Sequence, residues 1–256
     1  MVRKEVIICA YNKPVKFEEL SAGAGFDYTY KDGELLDATA LAALEYWKWG
    51  KWLPGNVTFG VETGSIDEAM KGQTRLAVGM MFQMVQPFVK DIKFVRSVSA
   101  RVCDIPLVWR ERDDYLRAPG RGNTIAYTTM PVGDPRTMPY DQRCIVFDEL
   151  EEWEIFGRPY QDPLKNPQFP NTWYRRESVV YTGGHELSHK LGIPHGKTGM
   201  MYPYVSSNPV PVVDKELESR LYQVYGRPNI FQRKLNAIRR WRLKKAGMKM
   251  VQDGAV

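Results

Sequence analysis

Residues 185–195 read His185-Glu186-Leu187-Ser188-His189-Lys190-Leu191-Gly192-Ile193-Pro194-His195, and they contain all 3 histidines of the chain. On a helix, residues four apart lie on one face, so His185 and His189 can direct ring nitrogens at one ion. Gly192 can adopt the left-handed conformation that ends a helix, and Pro194 cannot continue one. The stretch therefore predicts a helix, a sharp turn that returns His195, and three converging imidazoles.

The spacing His-Glu-x-x-His-x-x-Gly-x-x-His is typical of a catalytic zinc site. Three neutral imidazoles leave the fourth tetrahedral position to water, whereas a structural zinc site is closed. The five-residue pattern His-Glu-x-x-His alone also occurs by chance on surface helices, but the extended form favours the metal site. We expect one zinc ion on the three histidines, with Glu186 beside them as the catalytic residue.

A methionine-containing segment follows the histidines and reads Gly199-Met200-Met201-Tyr202-Pro203. Together with the histidine motif, it resembles the Met-turn that passes beneath the zinc in the metzincin metalloproteases. Met201, two residues before a proline, resembles the matrixin branch of that clan. Met200 with Tyr202 would instead resemble the astacin branch, so a second register stays open.

Upstream sequence carries a second resemblance to matrixins. Phe147-Asp148-Glu149-Leu150-Glu151-Glu152-Trp153 resembles the F-D-x-x-E-x-W stretch that ends their fifth strand. Residues 123–131 are rich in strand formers and resemble the edge strand along which substrate pairs, which implies substrate contacts at Ile125 and Ala126. The resemblance also places Pro203 and Tyr204 in the wall of the pocket for the residue after the scissile bond. The Val and Pro content of that loop favours an apolar side chain there.

The hydrophobic pattern gives an order of elements like that of a matrixin domain. It predicts strands at 55–61, 92–98 and 102–109 and a helix over 66–88, whose methionine stripe we interpret as core packing. Asp214 is a plausible cap for a closing helix within 212–226. The resemblance covers residues 53–226. It implies an α+β fold, an α/β sandwich with a twisted, mostly parallel sheet, an antiparallel edge strand, an active-site helix and a Met-turn.

The resemblance also bears on two further metal sites of the family, a calcium site and a second zinc site. Asp148 and Glu151 match positions that help to hold calcium in the family, and carboxylate oxygens suit that ion. The glycine-rich loop at 118–122 has no partner aspartate, so solvated carboxylates are an alternative. The second zinc of animal matrixins needs further histidines, so we expect a single zinc.

Composition indicates a soluble globular protein. The chain has 256 residues, of which 43% are hydrophobic and 26% charged, and this balance excludes disorder throughout. No apolar run reaches the roughly 18 residues of a membrane span, and the N-terminal run is too short for a classical signal peptide. Three cysteines at wide spacing predict free buried thiols. We expect a cytoplasmic or virion-associated protein of bacterial or phage origin.

Both ends extend beyond the predicted domain. Residues 1–52 form an N-terminal extension, where apolar spacing over 36–52 predicts a helix that either packs on the domain or docks a partner. Residues 227–256 contain nine Lys or Arg and one acid, a net +8, which leaves −2 for the rest of the chain. Phe231, Leu235, Ile238 and Trp241 recur there at helical spacing. This basic amphipathic tail can bind an acidic protein, nucleic acid or an anionic surface, or can pack on its own domain.

Two functional hypotheses follow. The first is a zinc-dependent endopeptidase that hydrolyses peptide bonds through a metal-activated water, with Glu186 as general base and then general acid. The alternative is a structural or assembly component, for example of a phage particle, built on a metzincin fold and docking through its terminal extensions. Fold alone does not separate them.

Overall fold

The structure is a computed structural model, and it describes residues 30–31, 34–35, 51–62, 68–110, 125–131, 135–149, 151–161, 168, 173–196, 198–202, 212–231, 233–235, 237–238, 241–242 and 245. Its strands are β1 (Tyr30–Lys31), β2 (Glu34–Leu35), β3 (Gly55–Val61), β4 (Ile92–Arg96), β5 (Ile105–Arg110), β6 (Ala126–Thr128), β7 (Ile145–Asp148), β8 (Trp153–Glu154), β9 (Arg158–Gln161) and β10 (Trp173–Ser178). Its helices are α1 (Glu68–Val85), α2 (Tyr140–Arg143), α3 (Val179–Lys190) and α4 (Lys215–Tyr225). Short 3-10 turns lie at Gln86–Phe88, Pro135–Thr137 and Gly199–Met201.

The main sheet has five strands in the order β4-β3-β5-β7-β6. β3 runs parallel to both β4 and β5, and β5 runs parallel to β7. β6 pairs antiparallel with β7, with Ala126 opposite Phe147, and forms one edge. β5 is apolar and buried along almost its whole length, as a central parallel strand is when both faces are covered. The predicted mostly parallel sheet with an antiparallel edge strand is confirmed.

Several predicted boundaries move by a few residues. β4 ends at Arg96 and β5 begins at Ile105, because the intervening Val98 and Val102 point into solvent. Because both residues are apolar, the hydrophobic pattern places them inside the predicted strands 92–98 and 102–109. A second sheet of three short strands, in the order β8-β10-β9, precedes α3 and was not predicted. Its strands are short and mix polar with aromatic residues, so no two-residue alternation indicates them.

The core lies between the sheet and two helices, α1 and α3, which pack against each other. Met81 and Met84 of α1 are buried, which confirms the interpretation of the methionine stripe. They fit against Gly183 and Gly184 of α3, where a Cβ on Gly183 would lie 2.3 Å from the Met81 sulfur. Glycine permits this close approach, since a Cβ at that position would displace the Met81 side chain.

The end of the predicted N-terminal extension belongs to the folded domain. Trp52, the last residue of the predicted N-terminal extension, is buried in the core, while the predicted helix over 36–52 lies almost entirely outside the described residues.

Cys103 and Cys144 are buried free thiols as expected, and burial raises the pKa of each to about 11. Cys9 lies outside the described residues. Among the helices described, none is long and apolar enough to cross a membrane.

Candidate metal centre

Helix α3 carries the first part of the site through the protein interior. Ser178 caps its start, where the hydroxyl accepts a hydrogen bond from the backbone N–H of Tyr181 at 3.0 Å. Every residue of the helix is buried. His185 and His189 therefore sit on a helix that is packed on all sides, and their backbones are fixed before any ligand binds.

The three histidines meet at one point. The Nε2 atom of His185 lies 3.1 Å from that of His189 and 3.2 Å from that of His195. Two tetrahedral ligands at 2.0–2.1 Å from zinc are about 3.3 Å apart, so the separations fit a zinc ion. Among the described residues, this buried trio is the group of metal-ligating side chains whose ligand atoms come close enough to hold an ion. The predicted convergence of His185, His189 and His195 is thus present.

Backbone carbonyls orient the two helical ligands. The His185 Nδ1 lies 2.6 Å from the Met200 carbonyl oxygen, and the His189 Nδ1 lies 2.8 Å from that of Ile193. A carbonyl only accepts, so each Nδ1 carries the proton and each Nε2 keeps a lone pair for a metal. Burial and, to a lesser extent, the neighbouring His195 together lower the pKa of His185 to about 3, so the imidazole is neutral.

Gly192 makes the turn that follows the helix. Its φ of 79° is in the left-handed region, as predicted. Its N–H donates to the His189 carbonyl at 2.9 Å, and the N–H of Ile193 donates to the Ser188 carbonyl at 3.0 Å. The reversed chain thereby presents the Ile193 carbonyl to His189 and brings His195 back to the other two ligands.

Arg220 of helix α4 holds the loop that carries His195. One guanidinium nitrogen donates to the carbonyls of Pro194 and His195, at 3.2 and 3.1 Å. The other binds Glu216 at 2.8 Å. Sequence reasoning missed this residue, because the contact joins positions 25 residues apart and no local pattern signals it.

The Met-turn segment forms a 3-10 turn in which Met200 and Met201 are both buried. The Met201 carbonyl accepts the N–H of Gly196 at 2.8 Å. Asp214 caps α4 as predicted, by accepting from the N–H groups of Glu216 and Leu217, and its second oxygen also accepts the Met200 N–H at 2.7 Å. This second contact was not predicted. The choice of Met201 over Met200 stays a prediction.

Two charged residues of α3 lie one helical turn apart beside the ligands. Glu186 is fully buried. The Lys190 ammonium is also buried and donates to the carbonyl of Thr129 at 2.6 Å and to that of Gln142. Burial lowers the pKa of Lys190 to about 7, although nearby Cys144 and Glu186 raise it. No sequence pattern indicates a role for Lys190.

The substrate positions predicted on the edge strand are buried, and their backbone is partly engaged. The Ile125 carbonyl accepts the Asp148 N–H at 2.9 Å. Hydrogen bonding alternates along an antiparallel pair, so the N–H and C=O of Ala126 and Thr128 point away from β7. In the part of the chain that is described, no strand lies on that side. Pro203 and Tyr204 lie outside the described residues.

The predicted calcium positions lie at the end of β7. Asp148 is buried, and its carbonyl accepts the Glu151 N–H at 3.3 Å. Within the described ranges, these carboxylates do not join a third ligand at metal-binding distance. Among the residues with described positions, the three histidines are thus brought together but a calcium cluster is not.

Comparison with known proteins adds an independent finding. A search of curated proteins gives no match to the chain. The family model described as Matrixin matches residues 49–226, which is most of the chain and includes every residue of the histidine site. This protein therefore belongs to the matrixin family of zinc-dependent metallopeptidases.

Proposed function

We propose that the protein is a zinc-dependent endopeptidase. The observation that carries the proposal is the buried convergence of the His185, His189 and His195 Nε2 atoms, with separations of 3.1 and 3.2 Å. Glu186 directly follows the first ligand on the same buried helix. A set of three neutral nitrogens suits zinc, and it leaves a coordination position for chemistry.

Zinc, when bound, supplies Lewis acidity toward the scissile carbonyl. Glu186 accepts the proton of the attacking water as general base and then returns a proton to the departing amine nitrogen as general acid. The carbonyls of Met200 and Ile193 keep His185 and His189 in the ligating tautomer throughout. Because the site is buried, the charge of Glu186 acts in a low-dielectric setting, where it is weakly screened.

An extended peptide is the substrate that the edge strand suits. The outward backbone groups of Ala126 and Thr128 can pair with it, while Ile125 completes the strand. Such pairing binds the peptide along β6, which packs against the helix that carries the metal ligands. Pro203 and Tyr204 complete the proposal as walls of an apolar pocket for the residue after the scissile bond.

The test is cleavage of a mixed peptide library by the zinc-loaded full chain, read by mass spectrometry. Glu186→Gln keeps the shape of the side chain and all three ligands, so it should retain one zinc and lose at least about 10²-fold in kcat. His185→Ala should lose the zinc as well. Glu218→Gln, on α4, is the matched control and should cleave like the parent. A Glu186→Gln protein that cuts at the parental rate would contradict the assigned role.

Calcium on Asp148 and Glu151 is a lesser part of the proposal. Carboxylate oxygens at the end of β7 suit that ion, and the third ligand would have to come from residues outside the described ranges. A melting curve taken before and after dialysis against a calcium-selective chelator tests it. An unchanged midpoint would contradict calcium binding at these carboxylates.

The basic tail is the observation that favours a second, docking role. The described residues between 230 and 245 are helical, and Ile230, Phe231, Leu235, Ile238 and Trp241 expose their side chains. This exposure supports docking to a partner over packing on the described part of the domain, which was one of the expected alternatives. We propose that the tail docks the enzyme to an acidic protein, nucleic acid or an anionic surface. The comparisons give no support to a place in a phage particle.

Salt dependence separates the partners of the tail. Binding to duplex DNA that weakens steeply between low and high salt would assign nucleic acid, since each neutralised phosphate adds to the slope. No DNA binding by the full chain at low salt would remove that option. A chain truncated after Gly226 supplies the control, because it lacks the nine basic residues.

A further inference from the structure

Lys190 is a buried cation in a place where an uncharged residue would be easier to accommodate. It is the last residue of α3, directly after the ligand His189, and only 1% of its surface is exposed. Burying an ammonium is costly unless polar groups replace its hydration. Lysine is almost never fully buried without such partners. The partners therefore show what the residue does.

Both hydrogen-bond partners of the Lys190 ammonium are backbone carbonyls on other elements. Thr129, at 2.6 Å, directly follows the edge strand β6, and Gln142 belongs to α2, which leads into β7. A single side chain thus links the active-site helix to the residue that follows β6 and to the short helix that precedes β7.

The register of the sheet explains why Thr129 needs this donor. The Ile125 carbonyl accepts the Asp148 N–H, and pairing continues through Tyr127 opposite Val146. The next pair in the same phase would set Thr129 opposite Cys144. The Cys144 N–H instead donates to Asp141 at the end of α2, at 3.4 Å. The Lys190 ammonium supplies the hydrogen bond that the strand ladder does not.

The other end of the link is also fixed. The Lys190 carbonyl accepts the indole N–H of Trp52 at 2.8 Å, and the Leu191 carbonyl accepts the Tyr225 hydroxyl at 3.0 Å. Both donors are buried. The backbone that bears the ammonium therefore has little freedom, and any movement of the ammonium's partners is restrained relative to the helix that carries His185 and His189.

We propose that Lys190 is a positioning residue, which sets the distance between the edge strand β6 and the histidine site and so places a paired peptide for cleavage. The inference rests on the proposed endopeptidase function for its catalytic consequence, but the tie between helix and strand does not. A displacement of about 1 Å in a reacting group can cost about 10²-fold in rate, so a tie of this kind has a measurable effect.

The test compares Lys190→Met with Lys93→Met in the full chain. Lys93 lies exposed on β4, at the opposite edge of the same sheet, so its substitution removes a lysine without touching the site. Hydrogen exchange is measured at the amide of Tyr127, the β6 residue whose N–H faces β7, with zinc content measured alongside. We expect Lys190→Met to keep its zinc and to speed exchange at least 10-fold in β6 but not in β5. Lys93→Met should match the parent.

Turnover supplies the second measurement. For a peptide long enough to pair along β6, Lys190→Met should lower kcat by roughly 10- to 100-fold, whereas a substrate too short to pair should lose little. General destabilisation would instead speed exchange in all strands and affect both substrates alike. Unchanged exchange in β6, or a loss independent of substrate length, would overturn the proposal.

A second variant covers the case in which Lys190→Met does not fold. Lys190→Gln keeps N–H donors on a shorter, uncharged side chain, and the same β6-selective exchange is expected in smaller degree. If the parent cleaves no peptide, the endopeptidase function fails, yet the exchange measurement still decides whether Lys190 ties β6 to α3.

Discussion

The two ligands on helix α3 and the third ligand on the following loop are held in different ways. His185 and His189 share one packed helix, and a carbonyl at 2.6 or 2.8 Å orients each ring. His195 lies beyond the turn at Gly192, and its backbone is held by Arg220 from helix α4. The helical pair is therefore prearranged by local structure, whereas the loop ligand depends on tertiary contacts.

That difference identifies where the site is vulnerable. A helix fixes residues four apart by its geometry alone, so the backbone positions of the helical ligands tolerate changes elsewhere. The loop ligand needs the left-handed turn at Gly192 and the Arg220 anchor, and the Asp214 tether holds the Met-turn whose Met200 carbonyl orients the His185 ring. Each of these contacts depends on a single replaceable residue. Substitutions outside the ligands should therefore weaken metal binding through the loop rather than through the helix.

Gly192→Ala should give the largest effect. At a φ of 79°, an L side chain costs about 1–2 kcal/mol, and relief of that strain would displace both His195 and the Ile193 carbonyl that orients His189. We expect zinc affinity to fall roughly 10- to 100-fold, the range typical for losing an outer partner of a metal ligand. Competition with a chromogenic zinc chelator measures it.

Gly226→Ala is the matched control for that prediction. Gly226 also has a positive φ, of 80°, but it ends α4, where a Cβ would meet only the distant end of Lys90 at 3.7 Å. It should therefore lower the melting temperature at least as much as Gly192→Ala while leaving zinc affinity within about twofold. Equal zinc loss in both variants would mean that general stability, rather than the turn, sets the affinity.

Arg220→Met should have an intermediate effect. The substitution keeps the length of the side chain but removes the donors to the carbonyls of Pro194 and His195. The loop then loses its anchor to α4, and we expect zinc affinity to fall about 10-fold, the lower end of the outer-partner range. Arg176→Met removes ion pairs to Glu152 and Glu154 in the small sheet and should leave zinc affinity unchanged. A parental affinity in Arg220→Met would show that the turn alone positions His195.

The difference between local structure and tertiary contacts also determines how much of the site could be predicted from the sequence. The ligands, the left-handed Gly192, the Asp214 cap and the antiparallel edge strand were all readable, because spacing, propensity and resemblance are local signals. Arg220, the Met200 contact of Asp214 and the buried Lys190 were not readable. Each joins segments that are 14 to 61 residues apart. The small β8-β10-β9 sheet was missed for a related reason, since its short strands of mixed polar and aromatic residues are defined by their partners rather than by their own pattern.

Asp214→Ala and Ser178→Ala give the smallest effect and the most direct comparison, because each removes one N-cap. The Ser178 hydroxyl caps the helix of the two helical ligands, and Asp214 caps α4 while also holding the Met200 N–H. Each should destabilise the fold by about 0.5–2 kcal/mol in a denaturant titration.

The two variants should differ in zinc affinity. Ser178→Ala frays a helix end almost two turns from His185 and should leave zinc binding within twofold of the parent. Asp214→Ala instead frees the Met-turn, whose Met200 carbonyl orients His185. We expect a several-fold loss in the second variant alone. Equal zinc affinity in both would show that the Met-turn holds its carbonyl in place without Asp214, and the contrast between helix and loop would then rest on Gly192 and Arg220.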